Sequence, residues 1–231
     1  MKSIIITAPI QNVGKTTLAM LLTFCAVKRK KRVLSIDADI GRYTFTNRVG
    51  SGERLEEGLI DAIEVETLGY KFDFGLCNMN GAVELDKKYD IVIVDFDVSR
   101  SVAHGDFYLP NADLIILPQP PWTAKKVKNW TVDFMAGVRS RVKGKMMTYP
   151  VAFDYDKDTD SIRAIKWTNP QLYDIWKKKR LQIVVKGNSK GIEYSPEWAS
   201  YINFEKYNEV KLKSFVNEAI IRLEEDFKEW V

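Results

Sequence analysis

Apolar and polar positions along the chain fall into two alternating rhythms. Short apolar runs at Ser3–Thr7, Val33–Ile36, Ile91–Val94, Leu114–Leu117, Met146–Ala152 and Leu181–Val185 read as strands buried on both faces. A weaker strand signal lies near Phe72–Cys77. Between these runs, apolar residues recur at helical spacing over Thr16–Lys28, Arg54–Val65, Thr123–Val138, Pro170–Lys179 and Tyr207–Trp230. Strands alternating with helices predict an α/β fold, a mostly parallel twisted sheet flanked by helices. The last helix sets Phe215, Ile220, Leu223, Phe227 and Trp230 against Glu218, Glu224, Glu225, Asp226 and Glu229. A helix lying on a membrane carries Lys and Arg on its polar face. This one is acidic there and is expected to pack on the sheet. No run is long enough to span a bilayer, and the N-terminus reads as a strand rather than a leader. Without repeats or a low-complexity linker, residues 1–231 are expected to form one domain.

The segment after the first strand carries the strongest chemical signal. Val13-Gly14-Lys15-Thr16-Thr17 stands between Ile4-Ile5-Ile6 and Leu18-Ala19-Met20-Leu21-Leu22. A strand, a tight loop ending in Gly-Lys-Thr and a helix together cradle nucleotide phosphates. Backbone N–H groups face the anion, Lys15 adds a point charge and Thr16 offers a hydroxyl to Mg²⁺. Asn12, Val13, Gly14, Lys15, Thr16 and Thr17 are therefore the candidate nucleotide-binding residues. The loop departs from the full motif, which asks for Gly where Pro9 stands; Ile10, Gln11 and Asn12 fill the space between.

Two further strands end in carboxylates, at the edge where open α/β sheets bind ligands. Val33-Leu34-Ser35-Ile36 runs into Asp37-Ala38-Asp39, and Ile91-Val92-Ile93-Val94 runs into Asp95. Such an acid stands near Mg²⁺ through a water. A single strand ending in Asp is commonplace because Asp opens turns. Two beside a phosphate loop mark Asp37, Asp39 and Asp95, with Thr16, as candidate metal-site residues.

Composition narrows the class. A chain of 231 residues, 45% apolar and 29% charged, can bury one α/β core. Its two cysteines, Cys25 and Cys77, lie far apart in apolar stretches. They suit packed thiols in a reducing cytoplasm, with no Cys-x-x-Cys to hold zinc or an iron–sulfur cluster. The single histidine, His104, cannot build a metal site alone and is expected on the surface or in a switch loop. Asp154–Asp160 alternates carboxylates like a calcium loop, yet lacks that motif's Gly and distal Glu and reads as a solvated turn. The net charge is +4, with basic runs at Lys28–Arg32, Lys125–Lys126, Arg139–Lys145 and Lys177–Arg180. These admit nonspecific DNA contact through phosphate neutralisation rather than base reading.

On these motifs the chain resembles the ParA/MinD family of P-loop ATPases, known for a deviant Walker A loop. The likeness rests on Val13–Thr17, on Ile36-Asp37-Ala38-Asp39-Ile40-Gly41, and on Tyr89-Asp90-Ile91-Val92-Ile93-Val94-Asp95. It rests also on Ala112-Asp113-Leu114-Ile115-Ile116-Leu117-Pro118-Gln119-Pro120, and it covers residues 1 to about 130. Asp39-Ile40-Gly41-Arg42 leans toward the MinD branch. The resemblance implies a P-loop NTPase fold of the SIMIBI class, with ATP and Mg²⁺ as ligands. It implies that Lys15 and Asp39 are catalytic, Asp39 orienting the attacking water, and that Asp37 and Asp95 support the metal's outer shell. Phe96 to Gly105 would be a switch that senses the γ-phosphate. Partition of DNA or intracellular positioning is the implied work, with a nucleotide-dependent homodimer and a small adaptor protein as partners. In the family a second lysine stands where this chain has Ile10, and two glycines follow it where this chain has Gln11 and Asn12. ATP hydrolysis is therefore expected to be slow. Lys2, Arg42 or Arg100 could substitute for the missing charge. The alternative is an ATP-binding scaffold that recruits a partner with little hydrolysis. Dethiobiotin synthetase-like ligases share the loop but carry a Lys-Pro segment where this chain has Asp37-Ala38-Asp39. Nitrogenase-reductase-like proteins need cluster cysteines that this chain lacks.

Overall fold

Where a strand is buried on both faces, successive residues must feed two separate cores, and the apolar runs do so in the computed structural model. It describes residues 1–8, 14–39, 45–46, 62–77, 85, 87–97, 102–119, 138, 141–150, 152–153, 182–183, 217, 220–221 and 223–231. In chain order the elements begin β1 (Lys2–Ile6), α1 (Lys15–Lys28), β2 (Val33–Ala38), β3 (Ile63–Thr67), β4 (Tyr70–Leu76) and β5 (Ile91–Phe96). There follow α2 (Val102–Tyr108), a 3₁₀ turn (Leu109–Asn111), β6 (Leu114–Gln119), β7 (Lys145–Pro150), β8 (Ala152–Phe153) and β9 (Gln182–Ile183). β1 to β7 form one sheet in the order β3-β4-β2-β5-β1-β6-β7, and β8 pairs with β9 apart from it. Every pairing in the large sheet is parallel except β3 with β4. Ile4, Ile6, Ile91 and Ile93 face the α1 side, while Ile5, Val92 and Val94 face the other.

α1 is the crossover from β1 to β2, and its side chains are buried from Lys15 to Ala26. A helix apolar all round belongs inside a protein. Here the sheet lies on one side, and Ile220, Leu223 and Phe227 of the C-terminal segment join the same core. Phe24 stacks on Tyr70 at 4.6 Å and meets Phe72 edge-on at 6.2 Å, tying α1 to β4. The buried Thr23 hydroxyl shares a 2.6 Å hydrogen bond with Ser35 of β2, so neither polar group is stranded. The C-terminal segment, helical at 217, 220–221 and 223–226, is clasped by Tyr149 donating to Asp226 at 2.5 Å and by a 3.1 Å Lys28–Glu224 ion pair. The acidic last helix thus packs on the sheet, as its pattern predicts.

The structure corrects one predicted element. Ile63–Val65, expected to close a helix, belongs to β3, which pairs antiparallel with β4 at Val65↔Phe72. Ile63-Glu64-Val65-Glu66-Thr67 alternates with period two, and the turn Leu68-Gly69 has both φ values positive (53° and 84°), as a two-residue hairpin requires. Leu68 accepts that backbone while packing against the α1-side core. The faint Phe72–Cys77 signal is a full strand beside β2. Residues 102–105, expected in a switch segment, lie in α2. Of the predicted helices, Arg54–Asp61 and Pro170–Lys179 fall outside the described residues, as does Thr123–Val138 apart from Val138. The acidic Asp154–Asp160 turn also falls outside them.

Candidate functional site

The parallel strands end together, and their C-terminal edge gathers the acidic side chains. Asp37 of β2 and Asp95 of β5 are register neighbours, and Ile6 of β1 flanks Asp95 on its other side. Asp37 and Asp95 are fully buried; Asp39 and Asp97, each two residues further on, are nearly so. β1 leads to the phosphate loop, whose last residue Gly14 caps α1 with φ 87° and ψ 17°. This left-handed conformation suits glycine, since a Cβ would crowd the following carbonyl. Gly14 itself supplies no capping side chain. A helix N-terminus without an N-cap side chain is the arrangement that favours an anion.

Lys15 and Thr16 open α1 and are both buried. The Thr16 hydroxyl donates to Asp95 Oδ2 at 2.5 Å, joining the loop to the acidic strand end. Asp37 is used differently. Its Oδ1 accepts the Asp39 N–H at 3.0 Å, and its Oδ2 accepts both the N–H and the hydroxyl of Thr46 at 2.8 Å. Asp37 therefore holds the chain on either side of the segment from Asp39 to Thr46. Thr46 is a site residue the sequence reading missed; only its position nine residues beyond Asp37 gives a hint. Asn12, Val13 and Ile10 lie outside the described residues.

Burial raises the Asp95 carboxyl to about 7, and the neighbouring Asp37 charge adds to this while Lys15 and the Thr16 hydrogen bond oppose it. Burial likewise raises Asp37 to about 6 against the hydrogen bonds from Thr46 and Asp39. Both values lie above that of an unfolded aspartate, so the folded chain keeps protons that the unfolded chain has released. Stability without ligand must then fall as pH rises through 6 and 7. Asp90, lowered to about 2 by hydrogen bonds from Arg32, is ionised throughout this window and leaves the sign unchanged. Thermal melts of ligand-free protein should give a Tm a few degrees higher near pH 5.5 than near pH 8. A Tm that climbs over the same interval would contradict the buried, coupled pair.

The donor set fits a magnesium ion held jointly with a nucleotide. Among the described residues no three His, Cys, Asp or Glu side chains converge as a self-contained metal site. Mg²⁺ does not need one, because it keeps waters and shares phosphate oxygens. Asp95 Oδ1 is buried with no hydrogen-bond partner among the described residues, while its other oxygen already holds the Thr16 hydroxyl. Thr16 and Asp95 are the residues that could hold the ion, directly and through water.

A phosphate loop after the interior strand β1, a helix capped by a left-handed glycine and acidic ends on the adjacent strands β2 and β5 define a P-loop nucleotide-binding protein. Residues 4–186 match the family model of the CobQ/CobB/MinD/ParA nucleotide binding domain, and the chain belongs to that family. No curated protein sequence matches it. Among solved structures it is similar to the MinD cell division protein of Aquifex aeolicus, at 19% identity and a TM-score of 0.62, over 99% of this chain and 97% of that one. It is also similar to cobyrinic acid a,c-diamide synthase of Mycobacterium smegmatis with bound ATP analogue and magnesium, at 14% identity and a TM-score of 0.59, over 96% and 95%. A third is pNOB8 ParA bound to nonspecific DNA, at 15% identity and a TM-score of 0.54, over 97% and 99%. At these identities the likeness is one of fold. Among the described residues no helix is long and apolar enough to cross a membrane.

Proposed function

We propose that the chain is a ParA/MinD-type switch that binds Mg-ATP, turns it over slowly, and partitions DNA or positions an intracellular cargo in the cytoplasm. The observation that carries this is the buried junction of Thr16 with Asp95, in register with Asp37, beside the phosphate loop of a chain in this family. The neighbour crystallised with ATP analogue and magnesium supports the ligands, and the ParA neighbour bound to nonspecific DNA supports the cargo. The two free, buried cysteines suit a reducing compartment. When bound, Mg²⁺ neutralises charge on the phosphates.

In this reading Lys15 and the N–H groups of Gly14 to Thr17 bind and orient the phosphates. Thr16 and Asp95 would hold the magnesium ion, the hydroxyl of Thr16 and the free Asp95 Oδ1 being the oxygens available to it. Asp37 positions Asp39 by accepting its N–H, and Asp39 orients the water that attacks. Asp39→Ala should keep ATP affinity within a few-fold and lose hydrolysis, measured by phosphate release beside nucleotide titration. Turnover at the wild-type rate would move the role elsewhere, to Asp37 first.

A nucleotide-driven homodimer and a small adaptor protein complete the proposal. Ile10 cannot neutralise phosphate charge across such a dimer, so hydrolysis should be slow and nearly independent of protein concentration. A missing cation of this kind is worth about 10³–10⁵ in rate where an arginine finger supplies it. The experiment is ATPase rate against protein concentration, run beside Ile10→Lys. Slow, concentration-independent turnover that Ile10→Lys makes fast and dimer-dependent supports the reading. Fast, dimer-dependent turnover in the unmodified chain would mean that another cation fills the place.

A further inference from the structure

We infer that the N-terminal edge of the sheet, opposite the nucleotide loop, is a docking surface for the phosphate backbone of duplex DNA. The inference rests on the DNA-partition reading above and locates its contact on the chain. Because the strands run parallel, the sheet has two chemically distinct edges, and charge is sorted between them. Asp37, Asp39, Asp95 and Asp97 gather where strands end. Exposed cations gather where strands begin. Lys30, Lys31 and Arg32 lead into β2, and Lys87 and Lys88 lead toward β5. Lys2 opens β1, while Lys143 and Lys145 stand at the start of β7.

Asp90 and Asp113, the acidic groups within this row, are already engaged. Asp90 is gripped by Arg32 at 3.1 Å, and Asp113 accepts the Ser3 N–H at 2.7 Å. Nearby, Asp106 pairs with Arg141 at 3.2 Å. Lys31, Lys87, Lys143 and Lys145 make no ion pair among the described residues. From β2 through β5, β1 and β6 to β7 the row crosses four inter-strand steps, about 19 Å at the usual spacing. Duplex DNA carries one charge per ~1.7 Å of axis, so a row of that length can meet several phosphates.

Two local features shape the surface. Gly144 has no room for a side chain, since a Cβ there would sit 2.2 Å from the Ala112 carbonyl oxygen and 2.4 Å from that of Asp113. The Lys145 N–H bonds the Asp113 carbonyl at 2.8 Å, so the backbone carrying Lys143 and Lys145 is pinned to the edge. Beside β1 a recess of about 470 Å³ is lined by Lys2, Arg29, Lys31 and Lys228 together with the acidic Asp90 and Glu229. Lys2 donates to the Glu229 carbonyl and Arg29 to those of Lys228 and Val231, so Lys31 and Lys228 are the recess cations left to meet a phosphate. A lipid surface fits less well, because among the described residues of this row only Met1 is a largely exposed apolar side chain that could enter it.

The test uses the full chain with Mg-ATP, two unrelated fluorescent duplexes, and the double variants K31Q/K87Q and K143Q/K145Q. The unmodified chain should bind both duplexes with similar affinity. Each double variant should lose about tenfold or more and flatten the log–log salt slope by roughly 2, near 0.9 per phosphate contact. Nucleotide affinity, measured in parallel, should stay unchanged in both and so report an intact fold. Variants that bind DNA with unchanged affinity and slope would overturn this surface while leaving DNA binding itself standing. An unmodified chain that binds neither duplex at low salt would overturn both. Binding to anionic vesicles that the variants lose, without duplex binding, would assign the edge to lipid and refute the inference.

Discussion

Lys15→Ala should lower affinity for Mg-ATP by about 30- to 5,000-fold, with cooperative unfolding retained. Lys15 is the only cation between Gly14 and Thr17, and it is buried at the mouth of α1. Truncating one partner of a buried charge pair costs about 2–5 kcal/mol, which sets that range. The side chain also opposes the raised pKa of Asp95, so its loss should push that carboxyl further up and hold more of it neutral in the ligand-free state. The fold should tolerate the change, because the α1 core from Leu18 to Ala26 is untouched. Calorimetric titration of both proteins decides it. Equal affinities would remove the phosphates from residues 14–17.

Asp95→Asn should act in opposite directions on stability and binding. In the ligand-free chain Asp95 is a fully buried carboxylate beside Asp37 in register, and burial is the main cause of its raised pKa. An amide of the same shape removes the repulsion, and its carbonyl can still accept the Thr16 hydroxyl. The Tm near pH 8 should rise by several degrees, and its decline between pH 5.5 and 8 should flatten. Mg²⁺-dependent nucleotide affinity should fall at least tenfold, because a neutral amide attracts no cation. Sites often trade stability for function in this way. A variant that melts lower and keeps full magnesium dependence would show that Asp95 is structural rather than part of the metal site.

How much of this was readable in advance depended on how local the cause was. β1, β2, β5 and β6 announce themselves, because a strand buried on both faces must be apolar throughout. The β3–β4 hairpin did not. Ile63-Glu64-Val65 satisfies the end of a helical pattern as well as a strand, and Leu68-Gly69 is a weaker turn signal than Asn-Gly. What decides between them is pairing with β4 and, through it, with β2, which is not local. The site divides in the same way. Lys15, Thr16, Asp37 and Asp95 were legible because each sits at the end of a strongly patterned strand or helix, and the structure gathers them at one edge. Thr16 was expected to serve both the phosphates and a metal, and its hydroxyl also engages Asp95, a bond no motif marked. Asp37 was expected in the metal's outer shell, yet its oxygens anchor Asp39 and Thr46. Thr46 had no motif to mark it, since its role comes from bonding Asp37 nine residues back. Of Lys2, Lys31, Lys87 and Lys145 on the basic edge, only Lys31 and Lys145 stood in the basic runs, until the strand order set all four along one side.

The central claim is a nucleotide site in which Thr16 and Asp95 would hold magnesium beside the phosphates. Equilibrium titration of the unmodified chain with a fluorescent ATP analogue, with magnesium and with chelator, tests it most directly. One nucleotide per chain, bound at least tenfold tighter with magnesium, is the expected result. Absence of binding, or binding that magnesium leaves unchanged, would contradict it.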